Sequence, residues 1–289
     1  MSFKASKRLV KKVISTGIVA TTLSFSLIGN SLAHDYGLQL YSMRNHMEAD
    51  LPKAMEQINS WGISLVEGGG NLYGRSVNGF KAILDEHQID IVSVDTNYEE
   101  VRDNPMAAVY KAQSFGAKYA TVYWIPHEAG KPFTFEHAKE AVEVFNKAGR
   151  VLRQNGITLQ YHPHGYEFAP LGDGTILDYM LENIVDAQFQ MDVFWIKQGG
   201  GDPLAILKKY EGKFTSLHLK DRLEGTPNTS DGSGDKESNV VLGTGDVGIA
   251  ALVKEAKSQG IIYYFIEDES SRVLKQVPKS LAFLKSLQD

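Results

Sequence analysis

Short apolar runs recur eight times after residue 35, and amphipathic stretches separate them. The runs are rich in Val, Ile, Tyr and Phe, which is typical of strands that are buried on both faces. They are Tyr36–Tyr41, Ile63–Glu67, Ile89–Val94, Lys118–Tyr123, Ile157–His162, Gln188–Asp192, Phe214–Leu219 and Ile261–Glu267. The pattern predicts eight parallel strands that are covered by helices.

The stretches between these runs carry apolar residues at helical spacing. The longest stripe is Ala138, Val142, Phe145, Ala148, Val151 and Leu152. Eight strand–helix units without a Pro/Ser-rich linker predict one closed (β/α)8 TIM barrel over residues 34–289. An open doubly wound sheet is the alternative. It would be expected to carry a Gly-rich phosphate turn after its first strand, and Leu40-Tyr41-Ser42-Met43 is not such a turn.

Residues 1–33 have the pattern of a secretory signal peptide. Five cations precede an uncharged run from Val13 to Gly29, and Ser31-Leu32-Ala33 follows with small residues at the cleavage positions. A membrane anchor is the alternative, but the run is short and interrupted by Ser, Thr and Gly. We therefore expect cleavage after Ala33 and an exported protein, periplasmic or extracellular, without a membrane attachment.

Charge and cysteine content exclude several classes of function. The formal net charge is −5, and removing five cations with residues 1–33 lowers it to −10. No basic stripe follows, so we expect no nucleic-acid partner. The chain has no Cys, which excludes disulfides, thiolate nucleophiles and thiolate zinc sites.

Polar side chains gather where the apolar runs stop, which is where a barrel carries its catalytic groups. Asp192, His218 and Glu267 lie at or next to the ends of the last three runs. A carboxylate, an imidazole and a carboxylate on adjacent strands predict a site for one divalent metal ion, Mn, Co, Mg or Zn. Singly, each of these residues could instead cap a helix or form an ion pair.

The fifth run supplies the candidates for a fourth metal ligand. Gln160, His162 and His164 would point the same way along a regular strand. We prefer His162 because it is nearest to the strand end and because imidazole is the better ligand. Gln160 and His164 remain alternatives.

At these residues the sequence resembles the sugar phosphate isomerase/epimerase family, the xylose isomerase-like barrels that also include the family 2 AP endonucleases. The resemblance covers residues 36–287. It is carried by Gly37–Ser42, Tyr161–Phe168, Asp192–Trp195 with Gly201–Pro203, His218–Asp221, Gly243–Asp246 and Tyr263–Glu267. It implies a metal held by Asp192, His218 and Glu267. Many epimerases of the family place a Glu near the position of Gln160, so a symmetric mechanism with two Glu bases is not expected here.

The predicted chemistry is proton abstraction next to a carbonyl on a sugar or keto-sugar. The catalytic candidates are His164, or alternatively His162, and Glu267 as bases, and Lys220 as a group that stabilises an oxyanion or acts as an acid. Lys220 could instead form a salt bridge with Asp221 or Glu167. The residues predicted to contact the substrate are Tyr41, Glu67, Trp124, Glu167 and Trp195.

Three functions are compatible with this set of residues, two of them catalytic. Return of the proton gives an isomerase or epimerase, which we prefer, and loss of a β-substituent gives a keto-glycoside lyase or dehydratase. A non-catalytic sugar-binding barrel is the third. Export favours a substrate without phosphate. The polar segment Arg222–Asn239 lies on the predicted active-site rim and is either a lid or a solvated insertion. The sequence does not determine the oligomeric state, and a homo-oligomer is possible.

Overall fold

A computed structural model describes residues 35–128 and 131–287. The predicted signal peptide lies outside the described residues. Eight parallel strands, each paired with its neighbours in chain order, form a closed barrel, which confirms the predicted (β/α)8 fold. The strands are β1 Asp35–Gln39, β2 Leu65–Gly68, β3 Asp90–Thr96, β4 Tyr119–Val122, β5 Thr158–Tyr161, β6 Gln188–Asp192, β7 Phe214–Leu219 and β8 Tyr263–Ile266.

Helices connect the strands and cover the outside of the barrel. They are α1 Arg44–Ala49, α2 Leu51–Ser60, α3 Val77–Glu86, α4 Tyr98–Asp103, α5 Pro105–Phe115, α6 Phe135–Gln154, α7 Ile176–Asn183, α8 Val193–Gln198, α9 Pro203–Lys209, α10 Ile249–Ser258 and α11 Val273–Ser286. Three single-turn 3-10 helices occupy Leu40–Met43, Tyr166–Phe168 and Lys236–Ser238. Across the described ranges, no helix is both long and apolar enough to cross a membrane.

The apolar stripes predicted from the sequence form the core between strands and helices. In α6, the fully buried Phe145 and Leu152 face the barrel. Thr134 begins this helix with a capping box, in which its hydroxyl accepts a hydrogen bond from the His137 backbone N–H. After the helix, Gly156 has a φ of 77°. Glycine adopts this left-handed conformation without steric cost, so the chain turns directly into β5.

Two irregularities in strand pairing interrupt the otherwise regular barrel. The register of β2 against β3 shifts between Val66 and Glu67, and that of β6 against β7 shifts between Phe189 and Gln190. The extra residue at each shift is in the partner strand, Val92 in β3 and Thr215 in β7, so Glu67 and Gln190 keep the regular alternation of their own strands.

The segment Arg222–Asn239 is closed at its base by a two-stranded antiparallel ribbon of Asp221–Arg222 with Asn239–Val240. The Arg222 guanidinium is buried there and donates to Asp246, Gln198 and Asn228. The long loop between the two short strands therefore leaves the barrel from a fixed base.

Candidate active site

Polar side chains fill the barrel interior below the carboxyl ends of the strands. Gln160 is fully buried there: its Nε2 donates to Thr215 Oγ1 at 2.6 Å and to Ser216 Oγ at 2.9 Å, and its Oε1 accepts from Thr121 Oγ1 at 2.9 Å. With both ends of the amide occupied, Gln160 belongs to the floor of the site. Of the three fifth-strand candidates for a metal ligand, this leaves His162 and His164.

Three of the predicted ligands converge above this floor. Within the described part of the chain, His162, Asp192 and His218 form a group whose ligand atoms all lie within 4.8 Å of one another, and all three residues are buried. The Asp192 Oδ2 atom lies 3.6 Å from His162 Nε2 and 3.9 Å from His218 Nδ1. Asp192 and His218 are register partners on β6 and β7, which explains their closeness.

Glu267, the fourth predicted ligand, stands beside this group but is not one of its members. It follows β8, and its Oε2 lies 3.1 Å from His218 Nδ1 and 3.8 Å from Lys220 Nζ. Burial works against ionisation of Glu267, but the Lys220 ammonium and His218 outweigh it and lower the pKa of this carboxyl. The side chain is therefore a carboxylate that faces the cluster.

The donor set fits a divalent cation. Asp192 is fully buried; its Oδ1 accepts from the Trp195 backbone N–H at 2.8 Å, whereas Oδ2 has no hydrogen-bond partner among the described residues. An unsatisfied buried carboxylate oxygen is costly. Burial accordingly raises the pKa of Asp192 to about 7, and Lys220 and His218 offset only part of this effect. Two imidazoles and up to two carboxylates match the ligand preferences of Mn, Co or Zn.

The three imidazoles at the site differ in their preference for charge. Burial lowers the pKa of His162 well below its usual value and lowers that of His164 to about 4, which favours neutral rings. Burial acts in the same direction on His218, but Glu67 and Glu267 override it and raise its pKa to about 10. His218 is therefore the imidazole whose charged form the surrounding carboxylates stabilise most strongly.

A cavity of about 570 Å³ opens above the cluster at the carboxyl ends of the strands. Its size is in the range of small-molecule sites. Among the sequence-predicted residues, it is lined by Tyr41, Trp124, His162, His164, Trp195, His218, Lys220 and Glu267. The structure thus brings most of the predicted site residues to one cavity.

Lys220 has a partner that the sequence did not predict. Its Nζ donates to Glu269 Oε1 at 2.5 Å and lies about 5 Å above the rings of Phe194 and Trp195. Neither Asp221 nor Glu167, the two partners that we considered, forms this ion pair. The Asp221 carboxylate instead accepts backbone N–H groups of the segment that follows it. Burial opposes the charge of Lys220, but Glu267 and Glu269 overcome it and raise its pKa, so the side chain is an ammonium.

Two predicted substrate contacts lie outside the cavity. Glu167 is fully buried; it accepts a hydrogen bond from the Tyr161 hydroxyl, and the His164 backbone N–H is shared between its two carboxylate oxygens at 3.1 and 3.2 Å. It therefore fixes the loop that carries His164 and does not reach a substrate. Burial raises its pKa to about 7. Glu67 is also fully buried and lies beneath the cluster, in contact with His218.

The loop after β7 forms one wall of the cavity. Gly232, Ser233, Gly234, Asp235 and Lys236 line it. A Cβ at Gly232 would lie 2.7 Å from the Trp124 ring, so only glycine lets the loop approach so closely. Lys236 Nζ lies 3.3 Å from Glu269 Oε2. The segment is therefore part of the site and not a solvated insertion.

Three acidic or phenolic residues of the cavity, Asp95, Tyr123 and Glu269, were missed by the sequence analysis. Asp95 and Tyr123 line the cavity, and the Tyr123 hydroxyl donates to Glu67 and lies 3.1 Å from Asp95 Oδ1. Asp95 is in β3, and Tyr123 directly follows β4, so the same strand-end rule would have selected them. Glu269 comes two residues after Glu267 in an acidic cluster, which was the available signal.

The barrel and the carboxyl-end cluster together define the class of this protein. The chain matches the family described as xylose isomerase-like TIM barrel over residues 55–287, and it belongs to that family. Its similarity to the inosose dehydratase of Clostridium beijerinckii is 28% identity over 178 residues, which span 53% of this chain and 57% of the relative. The matched region thus covers little more than half the length of that relative.

Solved structures share the fold over most of its length. A sugar phosphate isomerase/epimerase from Parabacteroides distasonis superposes with a TM-score of 0.73 at 21% identity, covering 89% of this chain and 98% of the other. The IolI protein, whose structure holds a zinc atom, superposes with a TM-score of 0.64 at 14% identity, covering 88% and 96%. At these identities the likeness establishes the fold.

Proposed function

We propose that this protein is a divalent-metal-dependent enzyme that removes a proton next to a carbonyl on a non-phosphorylated sugar or keto-sugar. The observation that carries the proposal is the unpartnered Oδ2 of buried Asp192, which lies between the rings of His162 and His218 beneath a sugar-sized cavity. His162, Asp192, His218 and Glu267 would hold the cation. When bound, it would act as a Lewis acid on a carbonyl or adjacent hydroxyl oxygen.

Side chains at the edge of the cluster would remove the proton and stabilise the resulting negative charge. His164 lines the cavity, and its ring is 4.7 Å from that of His162, which suits a base that takes a carbon-bound proton. When the proton leaves, the C–H electron pair moves towards the carbonyl oxygen. The Lys220 ammonium, fixed by Glu269 at 2.5 Å, is positioned to stabilise that negative charge. Glu267 is the alternative base.

Aromatic rings give the cavity its preference for sugars. Tyr41, Trp124 and Trp195 present rings to it, and two of them are large surfaces that remain open to solvent, with 49% of Tyr41 and 41% of Trp124 exposed. Such rings pack against the apolar face of a sugar. Export through residues 1–33 remains part of this proposal and agrees with a substrate that lacks phosphate.

The fate of the abstracted proton separates the two candidate reactions. Return of the proton to carbon gives an isomer or epimer. Departure of a β-hydroxyl, protonated as water, gives a dehydration. Gln160 is neutral and held in the floor by three hydrogen bonds, so no second carboxylate faces Glu267 from β5. This one-sided arrangement, together with the dehydratase relative, supports dehydration as the second candidate function.

The test is incubation of the protein with Mn²⁺ or Co²⁺ in D2O with free ketoses, 3-keto-glycosides and a keto-inositol, followed by NMR. An isomerase or epimerase is expected to place deuterium at the carbon next to the carbonyl, whereas a dehydratase removes the hydrogen from that carbon and the hydroxyl from its neighbour, leaving a carbon–carbon double bond. Asp192→Asn should abolish metal binding and either reaction. Asp173→Asn, the same change on an exposed turn, is the matched control. Neither exchange nor loss of a hydroxyl with any substrate class would refute the proposal. Sugar binding without either reaction would favour the binding barrel.

A further inference from the structure

Both candidate ligand histidines hydrogen-bond to a buried group on the side that faces away from Asp192. His162 Nδ1 lies 2.9 Å from Gln190 Oε1, and His218 Nε2 lies 3.2 Å from Glu67 Oε1. The opposite nitrogens, His162 Nε2 and His218 Nδ1, are the atoms that face Asp192 Oδ2. Histidine binds a metal through a ring nitrogen without a proton, so the partner of the other nitrogen decides whether a ring is ready to bind.

Glu67 accepts hydrogen bonds from four side chains. Its Oε1 is contacted by the Tyr123 hydroxyl, by Gln39 Nε2 at 3.3 Å and by His218 Nε2, and its Oε2 accepts from Gln190 Nε2 at 2.6 Å. Every one of these partners can donate. The carboxylate is therefore saturated, which leaves it no capacity to act as a base or to contact a substrate.

The direction of each hydrogen bond follows from the fact that a carboxylate only accepts. Because Gln190 turns its NH2 group towards Glu67, its carbonyl oxygen must face His162. That oxygen also only accepts, so the proton of the His162 ring is on Nδ1 and Nε2 is free. His218 has a carboxylate at each ring nitrogen, Glu67 Oε1 at 3.2 Å from Nε2 and Glu267 Oε2 at 3.1 Å from Nδ1. Glu267 is itself a proposed ligand, so with the metal bound Glu67 is the carboxylate that accepts from the ring, which places the proton on Nε2 and leaves Nδ1 for the metal.

The strands themselves give these two residues their directions. Glu67 and Gln190 follow the regular alternation of β2 and β6, because the extra residues at the two register shifts, Val92 and Thr215, belong to β3 and β7. Gln190 Nε2 reaches Glu67 Oε2 at 2.6 Å and Ser216 Oγ at 3.1 Å. Glu67 and Gln190 thus form a single pair that reaches across the barrel floor.

We infer that Glu67 is a positioning residue that holds both ligand imidazoles in their metal-binding tautomers, His218 directly and His162 through Gln190. This inference rests on the proposed metal site. It replaces the substrate contact predicted for Glu67 with a role beneath the ligands. The affinity for the metal would then depend on Glu67, a residue that does not itself bind the metal.

The first test is the affinity of purified Glu67→Gln for Mn²⁺ and Zn²⁺, measured by competition with a chromophoric chelator. An amide of the same shape cannot accept from both His218 and Gln190, so affinity should fall by about 10- to 100-fold. Asp95→Asn is the matched control: it removes a charge from a residue that shares the Tyr123 contact but hydrogen-bonds to neither histidine among the described residues. Its affinity should stay near that of the wild type.

The second test needs no variant and decides the question if Glu67→Gln does not fold. Long-range 1H–15N correlation spectra of zinc-loaded wild type should show a proton on Nδ1 of His162 and on Nε2 of His218. The reversed pattern, or equal affinity of Glu67→Gln and Asp95→Asn, overturns the inference while leaving the metal site intact. If the wild type binds no more tightly than Asp192→Asn, the metal site and with it the proposed function fail.

Discussion

Replacing Lys220 with Met tests the ion cluster at the end of β7. The side chain is 1% exposed, and its Nζ lies 2.5 Å from Glu269 Oε1 and 3.8 Å from Glu267 Oε2. Methionine keeps an unbranched side chain against the Phe194 and Trp195 rings but removes the charge. Two carboxylates with little exposure then lose their shared cation.

The magnitude follows from the burial of the pair. Removing one partner of a buried ion pair costs about 3–5 kcal/mol, because the other charge is left uncompensated. Lys236, which is half exposed, lies 3.3 Å from Glu269 Oε2 and offsets part of that cost. We therefore expect Lys220→Met to lose about 3 kcal/mol of unfolding free energy. In a domain of this size, that corresponds to a fall in Tm of roughly 6–12 °C.

The assay is urea unfolding followed by far-UV circular dichroism for Lys220→Met, Glu269→Gln and the double variant. Residues in direct contact are coupled, so the double variant should lose less than the sum of the single losses. Lys209→Met is the control. Its Nζ lies 2.7 Å from Asp178, but the lysine side chain is 58% exposed, so the loss should be below about 1 kcal/mol. Equal losses for the two lysine variants, or simple additivity, would refute the reasoning.

Three further predictions concern other parts of the chain. Gly149→Ala should destabilise by about 1–3 kcal/mol in urea, because a Cβ there would lie 2.3 Å from the Asp186 backbone oxygen; an unchanged midpoint would contradict this. Burial opposes ionisation of Asp178, but hydrogen bonds from Lys209 and other neighbours lower its pKa. The ionised Asp178 therefore stabilises the folded protein at pH values above its unfolded pKa of about 3.9. This stabilisation is lost as the pH falls towards the folded pKa. Asp178→Asn should thus be less stable than wild type at pH 7, with a smaller difference at pH 3, and a pH-independent difference would exclude this. Trp124→Ala should raise the KM for the sugar up to about tenfold with little change in Tm, since the ring is 41% exposed on the cavity wall; an unchanged KM would argue against stacking.

The barrel was predictable because its evidence is local in the sequence. Each buried strand is a short apolar run, and each helix has an apolar stripe, so the order of the elements can be read along the chain. The strand-end rule then selected Asp192, His218 and Glu267 without knowledge of any contact. Asp192 and His218 meet because they are register partners on neighbouring strands. Their role as metal ligands stays a prediction until metal content is measured.

The sequence did not predict how far below the cavity each polar side chain lies along the barrel axis. That position decides whether the residue faces the cavity or is held in the floor. Glu67, Glu167 and Glu267 look alike in the sequence, since each is an acid at or near the end of an apolar run. Only Glu267 lines the cavity. Gln160 and His162 lie two residues apart on one strand, yet one is held in the floor and the other faces the cluster.

These differences depend on contacts between strands that are distant in the chain. Glu67 on β2 and Gln190 on β6 contact each other and the two histidines across the barrel interior, and no local pattern in the sequence announces these contacts. Likewise, Lys220 finds Glu269 only because β7 and β8 are neighbours in the closed barrel. By itself, the sequence determined which elements form and which residue types reach their carboxyl ends. The tertiary structure decided which of those residues face the cavity, because strand register sets the height of each side chain, and that register is fixed only when the barrel closes.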